Sequence, residues 1–182
     1  MISAVMGTEP SEYFVFGGTK MDYEVRLFIT NVKSKKSGWF DFPIDSDEIN
    51  NDLGLSNGDE YTIGDYEAPF TISSTDSLEK INQIAEYYLE YSSATLTQHM
   101  QELVNNGFFN DLLEAFERID EIIYVEPMSV SDLAYHVTEE LGLFSGIPET
   151  VCDYFDFEKF GRDLVLSGDY SELSSGAWVA IP

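Results

Sequence analysis

The chain has 182 residues, of which 34 are Asp or Glu and nine are Lys or Arg, so its formal net charge at pH 7 is −25. Small domains usually carry a net charge of about 2–8 in magnitude, and this excess of negative charge argues against nucleic acid or an anionic membrane as a partner. Because 43% of the residues are hydrophobic and 14% are aromatic, the composition excludes a disordered acidic chain. The single cysteine excludes an internal disulfide bond and a CxxC metal site.

The amino-terminal segment has no pattern of a targeting signal. Residues 1–21 lack the basic start, the long apolar stretch and the cleavage site of a secretory signal peptide. No stretch of the chain reaches the roughly 18 apolar residues of a membrane span. We therefore expect residues 1–21 to form an amino-terminal extension, and we expect the protein to be cytoplasmic with no membrane partner.

Residues 22–70 have the pattern of a small α/β subdomain. Runs of β-branched and aromatic residues, bounded by turn residues, predict three strands at residues 23–29, 39–44 and 60–63. A short helix is predicted between the second and third strands, because Asp45 and Glu48 have the spacing of a capping box and Gly54 is typical of a helix end.

Residues 71–118 are predicted to form a helical subdomain. Asp76 and Glu79 have capping-box spacing at the start of an apolar stripe, which predicts the first helix. Apolar side chains at helical spacing predict two further helices, over residues 93–106 and 109–119. Three short helices joined by brief turns are typical of a small bundle.

Residues 119–182 are predicted to return to α/β structure. The pattern favours a strand at 122–125, a helix over 129–141, a second helix that begins at Pro148 and a closing strand at 176–181. The whole chain is therefore predicted to have an α+β fold made of three small subdomains: α/β, helical bundle and α/β.

The acidic residues fall on the polar faces of the predicted helices rather than in a tail. Asp111, Glu114 and Glu117 recur every three residues, about 4.5 Å apart along a helix axis, and each like-charged pair at this spacing costs about 0.2–0.5 kcal/mol. No lysine lies between them to relieve the repulsion. We expect an acidic surface that mimics DNA phosphates and comprises Asp76, Glu79, Glu86, Glu90, Glu102, Asp111, Glu114, Glu117, Asp120, Glu121, Asp132, Glu139, Glu140, Asp153 and Asp156.

The amount of charge suits a partner that binds nucleic acid. Duplex DNA carries one phosphate charge per ≈1.7 Å of helix axis, so 25 unit charges correspond to roughly 40 Å of duplex, about a dozen base pairs. A folded chain of this size has comparable dimensions and can present a phosphate-like density of charge. The strongly basic clefts that bind nucleic acid are therefore the expected partners.

The sequence shows no convincing catalytic constellation. His99 and His136 lie in predicted helices without a serine or cysteine in a recognisable arrangement. The acidic run at 45–48 lacks the glycine and the glutamate of a calcium-binding loop, and helix capping explains it better. We expect no enzyme activity, no metal and no cofactor.

Three groups of residues resemble the ArdA family of antirestriction proteins, which mobile genetic elements encode. They are residues 39–45 (WFDFPID), residues 64–71 (GDYEAPFT), and residues 160–164 (FGRDL) with 166–168 (LSG). Their order and spacing are similar to those of the family over residues 22–182, whereas residues 1–20 fall outside the pattern. Arg162 stands next to Asp163 in a very acidic chain, and we therefore expect it to form an internal ion pair.

The resemblance implies an elongated, three-domain, dimeric DNA mimic that inhibits type I restriction–modification enzymes without catalysis. Its acids would occupy the DNA-binding groove of the methyltransferase core and of the complete nuclease complex. The implied homodimer would form through the C-terminal third. The apolar residues Ile122, Ile123, Tyr124 and Val125, followed by Met128, are the predicted interface, and a core strand covered by the next helix is the alternative.

Two other functions are compatible with the sequence. A DNA mimic of this kind could be directed at another protein, such as a CRISPR nuclease, a repressor or a histone-like protein. An acidic enzyme with carboxylates as acid and base, or as ligands of a divalent metal, is the third hypothesis. Competition with DNA for a type I methyltransferase separates the first two hypotheses, and metal titration tests the third.

Overall fold

The computed structural model describes residues 24–56 and 58–182. The predicted extension 1–21, and Tyr23 at the start of the first predicted strand, lie outside the described residues. In this part of the chain, no helix combines the length and the apolar character that crossing a bilayer requires. The strands and α-helices, in chain order, are β1 (Val25–Asn31), β2 (Ser37–Phe42), α1 (Ser46–Leu53), β3 (Tyr61–Glu67), α2 (Leu78–Glu90), α3 (Met100–Asn105), α4 (Leu112–Glu117), β4 (Ile123–Val125), α5 (Val130–Glu140), α6 (Glu149–Cys152), α7 (Phe157–Ser167), β5 (Ser171–Glu172) and β6 (Trp178–Ala180).

The predicted α+β fold class is confirmed, since helices accompany two small antiparallel sheets. The first sheet has the strand order β2-β1-β3, and its central strand β1 buries alternate residues, as a half-buried strand does. Asp45 caps α1 by accepting a hydrogen bond of 2.9 Å from the backbone N–H of Asp47. Gly54 ends α1 in the left-handed conformation, with a φ of 65°.

The helical region differs from its prediction in detail. Ser77, not Asp76, caps α2, because the Ser77 hydroxyl accepts the backbone N–H of Lys80 at 3.2 Å. Asp76 instead accepts the backbone N–H of Ser73 at 2.8 Å and closes the preceding turn. The single helix predicted over 93–106 is a 3₁₀ turn, Thr95–His99, that continues into α3.

The helix predicted over 109–119 is shorter than expected. Asp111 adopts extended backbone angles and caps α4, so the helix begins only at Leu112. It ends at Glu117 and is followed by a second 3₁₀ turn, Ile119–Glu121. The polar side chain that suggested a helical face is therefore the residue that starts the helix.

The C-terminal part contains two elements that the sequence did not predict, α7 and β5. The helix predicted from 129 is confirmed as α5, which Ser129 caps, whereas the helix predicted from Pro148 is only the four residues of α6. The second sheet has the order β4-β6-β5, so the closing strand is central and β4 is an edge strand.

Two hydrophobic cores lie on opposite faces of the second sheet. Val179 and its neighbours belong to a large core that continues through α2, α3 and α4 to the first sheet. Trp178, the preceding residue of β6, belongs to a smaller core with Leu133 of α5, Phe160 and Leu164 of α7. Successive residues of a strand point to opposite faces, so β6 holds α5 and α7 against the rest of the described chain.

Gly161 is expected to be essential for this smaller core. A Cβ atom at position 161 would lie 2.3 Å from the backbone oxygen of Val130, where α7 packs against α5. We predict that Gly161→Ala lowers the free energy of unfolding by about 1–3 kcal/mol, as overpacking does. Asp163→Ala on the same helix alters an exposed side chain and should change the free energy of unfolding by less than about 0.5 kcal/mol. Urea denaturation measures both, and equal stabilities would contradict the close α5–α7 packing.

Candidate functional site

The acidic residues before and after Ile122 differ in whether basic side chains pair with them. Residues 122–182 contain eleven Asp or Glu side chains, and every one of them is exposed. Within residues 24–56 and 58–182, all the ion pairs involve carboxylates that precede Ile122 in the sequence. The C-terminal third therefore presents carboxylates whose charge no neighbouring basic side chain neutralises.

Asp111 belongs to the acidic stripe of Asp111, Glu114 and Glu117, which the sequence indicated most strongly, yet it has a structural role. It caps α4 by accepting the backbone N–H of Glu114 at 3.0 Å, and it accepts a 2.9 Å hydrogen bond from the Lys80 ammonium group. The N–H of Glu114 and then Lys80 lower the pKa of Asp111, and the bond to Asp111 raises the pKa of Lys80. A lysine from α2 thus relieves the repulsion that the local sequence left unrelieved.

Arg118 neutralises two more of the predicted acidic residues, Glu114 and Glu121. Its guanidinium group lies 2.6 Å from Glu121 and 3.8 Å from Glu114. Glu114 also accepts hydrogen bonds of 2.9 and 2.7 Å from the backbone and side-chain nitrogens of Asn110. Glu117 remains exposed on α4, and Asp120 is exposed in the following 3₁₀ turn.

Asp111 and Glu117 therefore offer a matched test of structural against exposed carboxylates. We expect Asp111→Ala to lower the free energy of unfolding by about 1 kcal/mol, because it removes the cap and a partner of Lys80. Glu117→Ala removes an exposed like charge and should leave the stability unchanged or slightly higher. Chemical denaturation at neutral pH measures both variants, and equal effects would argue against the capping role.

The pH dependence of this contribution follows from the lowered pKa of Asp111. The unfolded carboxyl group titrates near its ordinary value of 3.8, and the folded group titrates below that value. The contribution is therefore complete above the unfolded pKa and is lost as the pH falls through the folded pKa. Asp111→Ala should accordingly show a smaller loss of stability in acid than the unchanged chain does.

The other predicted acidic residues divide into those with local partners and those without. Asp132 accepts a hydrogen bond of 2.6 Å from Ser129, and Asp156 caps α7 through the backbone N–H of Lys159. Asp76 lies 3.7 Å from the Lys80 ammonium nitrogen, and Glu86 accepts a hydrogen bond from Asn82. The predicted residues that are exposed and form no ion pair in the described part of the chain include Glu79, Glu90, Glu117, Glu139, Glu140 and Asp153.

His99 has a serine and a carboxylate beside it, contrary to the sequence-based expectation. Ser175 Oγ lies 3.4 Å from His99 Nε2, and Glu102 Oε2 lies 3.5 Å from His99 Nδ1. Both distances exceed the range of about 2.6–3.2 Å expected for an activated nucleophile and its base. The two residues come together only in the fold, since 76 positions separate His99 from Ser175.

Glu102 joins the loop between β5 and β6 to α3. It accepts hydrogen bonds of 2.6 Å from the backbone N–H of Ser174 and 2.9 Å from its hydroxyl group. Glu102 is only half-buried, but both of its oxygens serve internal contacts. We therefore assign it a structural role rather than a place in the acidic surface. Among the described residues, no cluster of three or more His, Cys, Asp and Glu side chains is arranged to hold a metal ion.

Most of the predicted dimer strand is covered within the protomer. Ile122 and Val125 are buried, and the Tyr124 ring stacks on His99 at a centroid distance of 5.9 Å. Met128 is half-buried, and its backbone oxygen accepts a 2.9 Å hydrogen bond from the indole N–H of Trp178. Only Ile123 of the five residues is exposed.

Several large apolar side chains of the C-terminal helices and the turns between them are exposed, which the sequence did not indicate. Leu166 on α7 is 83% exposed, and Tyr154 after α6 is 90% exposed. Leu166 lies on α7, which the sequence did not predict, and Tyr154 lies beyond the end of α6, which is shorter than its prediction. We define the C-terminal apolar surface by its exposed members: Tyr135, Leu141, Leu143, Ile147, Val151, Tyr154, Val165 and Leu166.

Arg162 was expected to form an internal ion pair, and this expectation is wrong. It is exposed on α7 and makes no ion pair with any residue in the described ranges. Adjacent positions on a helix do not face each other, so Asp163 cannot serve as its partner through sequence proximity alone.

Comparison with known families identifies the chain. The sequence model of the family described as "Antirestriction protein (ArdA)" matches residues 34–179, which is most of the chain. A search of curated proteins finds no match. The chain belongs to the ArdA family of antirestriction proteins, a family of inhibitors of type I restriction enzymes, as its residues at 39–45, 64–71 and 160–168 suggested.

Proposed function

We propose that the chain inhibits type I restriction–modification enzymes without chemistry, by occupying the DNA-binding groove with carboxylates in place of phosphates. The same surface would serve against the methyltransferase core and the full nuclease complex, because both bind DNA through that core. The observation that supports this most directly is the set of eleven exposed carboxylates in residues 122–182, none of which is paired with a basic side chain among the described residues.

Electrostatics favours this set over the stripe on α4. A carboxylate already held by Lys80 or Arg118 contributes little net field at a distance, whereas an unpaired one contributes its whole charge. Residues 122–182 hold two basic side chains, Lys159 and Arg162. We therefore place the strongest negative field on α5, α6, α7 and the loops that join them.

Competition with DNA for a purified type I methyltransferase core tests the proposal. The chain should displace a labelled duplex that carries the recognition site, and it should do so in the absence of any cofactor of the enzyme. Failure to displace the duplex at micromolar concentration would reject the proposed function. Displacement from a CRISPR nuclease or a repressor, but not from the methyltransferase, would favour the alternative target.

Two charge-matched double variants show which carboxylates carry the inhibition. Glu139→Gln with Glu140→Gln removes two exposed, unpaired charges, and it should weaken competition about tenfold, since each contact contributes up to ~1 kcal/mol. Asp41→Asn with Glu67→Gln also removes two charges, but these carboxylates pair with Arg26. This control should weaken competition no more than about twofold. Equal losses would mean that net charge alone matters, not its position.

We also propose a homodimer formed through the C-terminal third, with the subdomains divided as 22–70, 71–118 and 119–182. The C-terminal apolar surface supports a dimer contact better than β4 does, because β4 offers only Ile123 to a partner. Exposed apolar side chains grouped on a few neighbouring elements are typical of protein–protein contacts. A two-fold axis there would place the exposed carboxylates of both protomers on one assembly.

A further inference from the structure

A groove lies between the end of α2, the 3₁₀ turn Thr95–His99 and the residues that lead into β4. Its volume is about 620 Å³, which falls within the range of about 300–1,000 Å³ for small-molecule sites. Leu96, Ile119 and Ile122 line it and are themselves buried, so they form its floor. Tyr91 also lines the groove and is half-buried.

Two acidic residues line the same groove at its open side. Glu90 at the end of α2 and Asp120 in the second 3₁₀ turn are both exposed, in contrast to the three aliphatic side chains of the floor. An apolar floor with the Glu90 carboxylate at the mouth suits a side chain that has a long alkyl stem and a cationic end. Phosphates on the outside of a duplex offer no such apolar floor, so charge mimicry alone does not require the groove.

Arginine fits this arrangement better than lysine does. Its guanidinium group is planar, is less strongly hydrated than an ammonium group and can bind a carboxylate through two hydrogen bonds. The partner of a −25 inhibitor is a basic, DNA-binding protein, in which exposed arginines contact phosphates.

We propose that this groove captures an arginine side chain from the DNA-binding surface of the inhibited enzyme. The inference rests on the proposed function and adds a specific apolar and acidic subsite to it. The groove fixes the register of the inhibitor, while the exposed carboxylates of residues 122–182 supply the long-range attraction. Binding therefore has a component that depends on the shape of the groove and not on net charge.

A substitution that fills the groove without changing charge tests the inference. Ser93 is exposed and lines the groove, so Ser93→Trp should block it. We expect Ser93→Trp to weaken binding to the methyltransferase core at least tenfold. Gln83→Trp places the same ring on an exposed position of α2 outside the groove, and its binding should stay within twofold of the unchanged chain. Equal affinities of the two tryptophan variants would overturn the inference.

A second pair of variants tests the acidic mouth and guards against misfolding of the first. Glu90→Gln should weaken binding several-fold more than Glu86→Gln, which removes one charge from the same helix outside the groove. If Glu90→Gln and Glu86→Gln weaken binding equally, Glu90 contributes only to the net charge. The proposal that the groove has an acidic mouth would then be rejected. Thermal unfolding of all four variants shows that the folded state persists.

Calorimetry with a synthetic peptide separates this inference from the proposed function. The probe is a blocked peptide of alternating glycine and arginine, compared with versions that carry lysine or norleucine. The arginine peptide should bind most tightly, and Ser93→Trp should weaken its binding at least tenfold while Gln83→Trp does not. If the chain fails to displace DNA but this pattern holds, the proposed function fails and the subsite stands. If it displaces DNA but Ser93→Trp changes neither assay, or norleucine binds as well as arginine, the subsite is wrong.

Discussion

Raising the salt concentration from 50 to 200 mM should weaken the complex with the type I methyltransferase at least about a hundredfold. A basic groove that receives carboxylates must release its bound anions, and the attraction between the two charge distributions is screened at the same time. A protein that makes 6–10 phosphate contacts on DNA loses about 10³–10⁵ in affinity over this range. Residues 122–182 alone present eleven exposed carboxylates, enough for a comparable number of contacts.

The loss for the inhibitor should nevertheless be smaller than the loss for DNA. The condensed counterion atmosphere of a duplex is released on binding, whereas carboxylates dispersed over a folded chain hold a more diffuse one. The inhibitor should therefore compete better against DNA as the salt concentration rises. Parallel titrations of both ligands against the same methyltransferase measure the two slopes of log affinity against log salt. A flat dependence for the inhibitor would reject carboxylate mimicry and assign binding to the apolar groove and surfaces.

The regular elements were predictable from the sequence where local patterns agree with packing. Strand β1 has the alternation of a half-buried strand, and α1 has both its cap and its terminal glycine. In α7 the sequence carries a cap at Asp156 and a stop at Gly168, but Gly161 interrupts the helical pattern. That glycine is required for contact with Val130, a reason that becomes visible only in the packed structure.

The negative charge of the candidate surface was predictable from the sequence. Which carboxylates have structural roles and which are available to a partner was not. The sequence spacing placed Asp111 and Glu114 on one helix face, yet Lys80, the partner of Asp111, comes from α2 and lies 31 positions away. Glu102 is bound by Ser174, which lies 72 positions away. Such contacts between distant segments decide whether a carboxylate is available to a partner, and no local pattern reports them. The eleven carboxylates beyond Ile122 form no ion pairs among the described residues, because basic residues are nearly absent there. This scarcity of basic residues was visible in the composition.

The proposed dimer must form against electrostatic repulsion between its protomers. Two protomers with a charge of −25 each repel one another, so a dimer requires an apolar contact large enough to offset that repulsion. Low salt should loosen the dimer because screening is weaker, whereas low salt should strengthen binding to the target. The opposite salt dependences allow the two equilibria to be measured separately on the same protein.

Leu166→Glu should convert the proposed dimer into a monomer. Leu166 is 83% exposed on α7, and a two-fold contact would contain it twice. Losing two leucine contacts of about 1.5–3 kcal/mol each and placing two carboxylates near the axis should raise the dissociation constant more than about a hundredfold. Ile123→Glu, at the exposed position of β4, is the matched control and should leave the dimer intact. Tyr124→Glu would be a poorer control, because Tyr124 stacks on His99 inside the protomer and its replacement would disturb that contact.

Sedimentation velocity at micromolar concentration and physiological salt distinguishes the possible outcomes. A dimer that Leu166→Glu dissociates and Ile123→Glu preserves places the two-fold contact on the C-terminal apolar surface. Dissociation by Ile123→Glu alone would instead support pairing of β4 strands across the axis, since β4 is an edge strand. If the unchanged chain is a monomer, the dimer is rejected. The C-terminal apolar surface would then be available to contact the restriction enzyme itself, beside the carboxylates that attract it.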